Sequence, residues 1–141
     1  METIIKNNLA QAFPDAEVWT EQIEEGFSRP AFFVQRIQGC HSQEVGNRYL
    51  YTASYAVHYF TDADTRSQNE DLADKAVKLW AVLREISYQG ETLHGYDLNH
   101  RTEDGVLQFF VTYRRYIAVP MNNEESKMMG MNYEVELETE D

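Results

Sequence analysis

Cysteine is almost missing from this chain. Cys40 is the single one, so neither an intramolecular disulfide nor a cysteine-based zinc site can form. Long apolar runs are missing as well: nothing approaches the about 18 residues that cross a bilayer as a helix. The opening METIIKNNLA lacks the charged-then-apolar order of a secretion signal. Synthesis and assembly in a cytoplasm, with no membrane partner, are therefore expected. Positive charge is scarce, with 12 Lys and Arg against 24 Asp and Glu and a formal net charge of −12. A surface of that sign repels phosphate, which argues against a direct reader of nucleic acid. Catalytic signatures are absent too. There is no G-x-S-x-G, no P-loop and no dinucleotide fingerprint, so an enzyme and a cofactor find no positive support.

What is present is enough apolar surface to fold. The 141 residues are 43% hydrophobic and 13% aromatic, which suits one domain with an ordinary core. Composition changes after Pro120, where seven acidic residues stand against Lys127. The expected organisation is a single α+β domain over 1–120 and an acidic extension over 121–141.

The strongest strand signal is Arg48–Phe60, RYLYTASYAVHYF, which has no Gly or Pro and is bracketed by turn-formers. Its odd positions are bulky (Tyr49, Tyr51, Tyr55, Val57, Tyr59) and its even positions mostly small. Upstream, Ile5, Leu9, Ala12 and Phe13 share one face of a helix over 2–13, and Pro14 ends it. A short strand is expected at 18–23 and a clear one at 31–40, with a polar loop from Cys40 to Asn47. Downstream, Leu72, Ala76, Leu79, Leu83 and Ile86 recur at helical spacing and predict a helix over 68–87. Ser67 and Glu70 have the spacing of a capping box at its start. Residues 91–101 and 106–119 read as a hairpin about Asp104-Gly105. Met131, Tyr133, Val135 and Leu137 alternate with Asn132, Glu134, Glu136 and Glu138, a one-faced strand with a negative stripe. The expected fold is α+β, a mostly antiparallel sheet of four to five strands with helices on one face, in the order α-β-β-β-α-β-β.

Chemical sites are thin. Asp62, Asp64 and Glu70 echo a calcium loop, but Ser67 stands where Gly is needed and Ala73 where the bidentate Glu belongs. His94 and His100, six apart on a strand, would share a face, yet a zinc site needs further ligands. His58 is expected beneath a helix, hydrogen-bonded. Cys40 and His41 are adjacent and so point to opposite sides of a strand, which defeats a thiolate–imidazole pair. No catalytic, cofactor or metal residues are assigned. Tyr and Arg abundance points instead to a protein–protein interface.

Three segments, Gly26-Phe27-Ser28-Arg29-Pro30-Ala31-Phe32-Phe33, then Arg48-Tyr49 with Val57-His58-Tyr59-Phe60, then Asp97–Arg101 with Asp104–Tyr113, stand in an order and spacing that together resemble a phage tail terminator family found in phages and prophages of Gram-positive bacteria. Gly26-Phe27-Ser28-Arg29-Pro30-Ala31-Phe32-Phe33 is similar to its G-F-x-x-P-x-F-F segment. Arg48-Tyr49, continuing to Val57-His58-Tyr59-Phe60, resembles its R-Y…I-H-Y-F strand. Asp97–Arg101 with Asp104–Tyr113 looks like its closing hairpin. The likeness covers about residues 2–118.

The resemblance implies a non-enzymatic virion protein: a ring, typically a hexamer, that caps the tail tube, stops its growth and offers a surface for head attachment. The implied partners are further copies of the chain, the tail tube protein and a head-completion protein, with DNA only as passing cargo. The interface is expected at Arg48, Tyr49, Tyr51, Tyr55, Arg114, Arg115, Met131, Tyr133, Val135 and Leu137. Acids expected toward the lumen are Glu21, Glu24, Glu25, Glu134 and Glu136. The competing readings are another tail-completion protein, such as a head–tail connector, and a small cytosolic adaptor or ligand-binding domain.

Overall fold

Thirteen residues without a helix breaker form the predicted long strand, Arg48–Phe60, here β3. In the computed structural model, which describes residues 1–20 and 27–119, six strands build one sheet in the order β1-β2-β3-β6-β5-β4. These are β1 (Glu17–Trp19), β2 (Ala31–Gln43), β4 (Glu85–Tyr88), β5 (Glu91–Glu103) and β6 (Val106–Ala118) around β3, with helices α1 (Glu2–Ala12) and α2 (Gln68–Leu83). Only the β1–β2 pair is parallel; the other pairings are antiparallel. The chain is α+β, as expected, with one strand more than the sequence pattern suggested.

Both helices cover the odd face of β3. Tyr51, Ala53, Tyr55, Val57 and Tyr59 are buried against them. From α1 come Ile5 and Leu9, and from α2 come Leu72, Ala76, Leu79 and Leu83. β6 supplies Leu107, Phe109, Val111 and Tyr113 to the same core. Two tyrosine hydroxyls fasten α2 at its ends. Tyr59 donates to Asp71 Oδ2 at 2.8 Å, and Tyr113 donates to the Leu83 carbonyl at 2.7 Å. Burial pushes both phenols above the ordinary tyrosine range, so they remain neutral donors.

Three local readings are corrected. The helical spacing through Ile86 predicts one helix over 68–87, but α2 stops at Leu83 and Glu85–Tyr88 becomes β4. Ile86 and Tyr88 are buried and alternate with exposed Glu85 and Ser87, a two-residue period that overrides the helical one. Gln89 and Gly90, both at positive φ, turn β4 into β5 just as Asp104 and Gly105 turn β5 into β6. The capping box does not form. Ser67 makes no side-chain cap, and Asp64 Oδ1 accepts from the Arg66 N–H, the Ser67 N–H and the Ser67 hydroxyl instead. Finally, β2 runs on to Gln43, because β3 is long enough to pair it throughout.

Asp71 gathers the polar contacts under α2. Besides Tyr59 it accepts from Thr61 Oγ1 at 2.5 Å and from Lys75 Nζ at 3.0 Å. Burial pushes its carboxyl up, but these three donors outweigh burial and hold it below the ordinary value. Asp71→Asn leaves buried donors poorly matched and should destabilise by about 1–3 kcal/mol at neutral pH. The ionised form's contribution is complete above the ordinary value of 3.8 and is lost as pH falls through the lower folded one. Thermal melts of the two proteins should therefore differ at pH 7 and converge on acidification. Melts that coincide at both pH values would contradict the role assigned to Asp71.

Candidate functional site

The opposite face of the sheet is uncovered among the described residues. β3 sends Thr52, Ser54, His58 and Phe60 to that side, and the unbroken register from Arg48↔Ala118 to Phe60↔Val106 carries the same parity into β6. Gln108, Phe110, Thr112, Arg114 and Tyr116 therefore join them. β2 adds Phe33 opposite His58, and β5 adds Tyr96, Asn99 and Arg101. The aromatics shield one another. Phe33 stacks on His58 at 5.8 Å, and Phe27 meets Phe60 edge-on at 5.0 Å. Burial pushes the His58 imidazole below its ordinary value, so it is a neutral ring near pH 7.

Guanidinium groups lie over these rings. Arg48 sits 4.1 Å from the Tyr116 centroid, Arg114 4.4 Å from Tyr96 and Arg101 5.4 Å from Phe110. Arg29 lies 5.5 Å from both Phe27 and Phe60. Stacking of this kind contributes about 0.5–1 kcal/mol at exposed sites and leaves the N–H edges of the guanidinium available. The cations of the helix side behave differently. Arg36 meets Glu2 at 2.9 Å, Lys78 meets Asp74 at 3.1 Å and Arg115 meets Glu91 at 3.5 Å. Among the described residues, Arg48, Arg101 and Arg114 have no carboxylate within ion-pair distance. Among the described residues, the ion pairs of Arg36, Lys78 and Arg115 thus lie on the helix side, and the three arginines of the other face rest on rings.

The expected interface residues divide between these sides. Arg48 and Arg114 are on the uncovered face. Arg115, one residue further on, points to the helix side and lies over Tyr88 at 5.2 Å. Tyr49 has the helix-side parity and is half-buried. Tyr51 and Tyr55 are corrected: at 8% and 0% exposure they fill the core and offer no surface to a neighbour. Met131, Tyr133, Val135 and Leu137, and the acids Glu21, Glu24, Glu25, Glu134 and Glu136, lie outside the described residues. Tyr96, Arg101, Phe110 and Tyr116 complete the face and were not among the expected interface residues. Each strand's alternation was readable, but the register that aligns the strands was not.

The histidines are also rearranged. A bulge between Tyr96 and Asn99, with Asp97 at φ 53°, shifts the parity of β5. His94 and His100 therefore face opposite sides, and His100 stacks on Phe109 at 6.3 Å. His58 lies on the uncovered face rather than beneath a helix, because the helices pack on the bulky face of β3. Cys40 pairs with Thr52 and His41 with Tyr51, which sets them on opposite sides. Among the described residues no three His, Cys, Asp or Glu are placed to hold a metal ion, and no helix is long and apolar enough to cross a membrane.

A family model described as "Phage tail terminator protein" matches residues 1–126. No curated protein matches the chain. One solved structure is similar at 12% identity, over 82% of this chain and 87% of that one, with a TM-score of 0.38. That likeness carries no argument.

The division of Tyr55 from Arg114 is measurable. Tyr55→Ala should cost about 3–5 kcal/mol in denaturant unfolding, as removal of a large core side chain does. Arg114→Ala should stay within about 1 kcal/mol of the parent. A mild Tyr55→Ala would place that ring outside the core.

Proposed function

The chain belongs to the phage tail terminator family, and from that premise we propose that it closes into a hexameric ring on the last ring of tail-tube protein. The family is structural rather than enzymatic and belongs to the virion tail. In this reading the ring stops tube polymerisation and presents its far side to a head-completion protein, while DNA passes through the lumen.

The observation that carries the ring is a pair of unlike free edges. β1 pairs only with Ala31–Phe33, so the outer edge of β2 from Val34 to Gln43 has no strand partner among the described residues. On the other side, β4 pairs only with Glu91–His94 and the Gly95 N–H donates to the Arg84 carbonyl, which leaves β5 from Tyr96 to Glu103 without a strand partner on that edge among the described residues. Open edges invite strand addition. Two different edges on opposite sides of one sheet give a heterologous contact, the kind that closes rings. The segment 121–141 is a separate unit in this reading and contributes a further inter-subunit contact through Met131, Tyr133, Val135 and Leu137. Arg48, Tyr49, Arg114 and Arg115 contribute from the sheet. Glu21, Glu24 and Glu25 line the lumen, where like charge keeps DNA phosphates from adhering.

Light scattering on the purified chain, alone and mixed with its tail tubes, tests the reading together with negative-stain imaging. At 16.5 kDa per chain, a closed hexamer has roughly 100 kDa, and rings should appear at tube ends. A single-chain mass that tubes do not change, with tubes that keep growing, would overturn it. Glu21, Glu24 and Glu25 changed together to Gln should slow DNA ejection while leaving ring mass intact; unaltered ejection would remove them from the lumen.

A further inference from the structure

Three arginines of the uncovered face form a line along the sheet. Arg48 stands at one end of β3, Arg114 is opposite Thr52, and Arg101 is opposite Gln108, itself opposite His58. From Arg48 to the His58 row is ten residues of strand, roughly 33 Å. These guanidiniums rest on aromatic rings; Arg101 Nε also donates to Gln108 Oε1 at 2.9 Å, and none of the three has a carboxylate partner among the described residues. That is unusual in a chain of net charge −12. Arg36, Lys75, Lys78 and Arg115 on the helix side meet acids, and among the described residues these three do not.

The excess acid is concentrated elsewhere. Seven of the 24 acidic residues lie in 121–141, beside a single lysine. β6 ends at Ala118 opposite Arg48, and the Val119 N–H donates to the Asn47 carbonyl at 2.8 Å. The chain thus leaves the sheet at the Arg48 end of the line. The 22 residues that follow Val119 reach up to roughly 70 Å when extended, enough to leave one sheet and run the length of another.

We infer that the uncovered face of one copy receives the acidic C-terminal segment of a neighbouring copy, with Glu134, Glu136 and Glu138 meeting the guanidiniums of Arg48, Arg101 and Arg114. The inference rests on the ring reading, in which each copy gives one patch and receives a different one. The carboxylates take the remaining guanidinium N–H groups in charge-assisted hydrogen bonds, and the cation–π stacks, with the Arg101–Gln108 bond, hold the guanidiniums in place for them.

Cys40 is a built-in reporter. It is exposed, and it sits on this face in the row of Thr52 and Arg114. The experiment measures its rate of reaction with N-ethylmaleimide in three full-length preparations: the parent chain, the variant E134Q/E136Q/E138Q, and that variant mixed with excess Cys40→Ser chain. Cys40→Ser is invisible to the reagent but carries an intact acidic segment. The triple variant should react about tenfold faster than the parent, the scale of three exposed ion pairs, and the added Cys40→Ser chain should restore protection. Salt near 1 M, where screening acts within about 3 Å, should abolish protection in the parent. Equal rates in parent and triple variant would overturn the inference. So would protection of the parent that added Cys40→Ser chain does not restore, since the segment would then lie on its own sheet. Light scattering on the same samples separates the two readings. A ring mass with unprotected Cys40 overturns the docking alone, whereas a single-chain mass on and off tubes with unprotected Cys40 overturns the ring as well.

Discussion

Everything in this molecule hangs on the pairing of β3 with β6. Two strands of 13 residues run antiparallel without a slip, from Arg48↔Ala118 to Phe60↔Val106. Because side chains alternate across a strand, one unbroken register assigns every residue of the central pair to one of two faces. The bulky set goes under the helices and includes Tyr55, Tyr59, Phe109 and Tyr113, each at most 1% exposed. A one-residue slip of β6 against β3 would carry Phe109 and Tyr113 to the open side and send Arg114 into the core. The apolar burial at stake is many times the stability of a small domain.

The same alternation separates the charges. Arg114 and Arg115 are neighbours in sequence, yet one lies over Tyr96 and the other over Tyr88 beside Glu91. Burial on the helix side requires partners for its cations, so Arg36 finds Glu2 and Lys75 finds Asp71. The uncovered side imposes no such requirement, and aromatic rings suffice there. A chain with strongly negative net charge thus keeps a positive, ring-backed face. Average charge describes its solubility and its repulsion of phosphate, but not what each face can hold.

Much of the architecture was legible in advance. The long strand, the closing hairpin with its Asp104-Gly105 turn and the two amphipathic helices all carry local signals in composition and period. The misreadings have physical causes in common. β4 was absorbed into α2 because Leu83 and Ile86 are three residues apart, a spacing that suits a helix as well as a helix followed by a strand. His94 and His100 were assigned one face because a bulge is invisible to a period of two. Tyr51 and Tyr55 were expected at an interface because a tyrosine's type says nothing of which face the helices take. Family resemblance was readable from the Gly26–Phe33, Arg48–Phe60 and Asp97–Tyr113 patterns together, and the family match over residues 1–126 agrees with it.

Local chemistry, then, determined by itself most of the element types, the closing turn, the acidic balance and the family resemblance, because propensity and turn preference are properties of short stretches and net charge is a sum over residues. Tertiary structure alone decided which face the helices cover and, among the described residues, which edges of β2 and β5 stay open and which arginines lack a carboxylate. Those outcomes depend on register and on a parity-shifting bulge, and both arise from pairing between residues far apart in the chain.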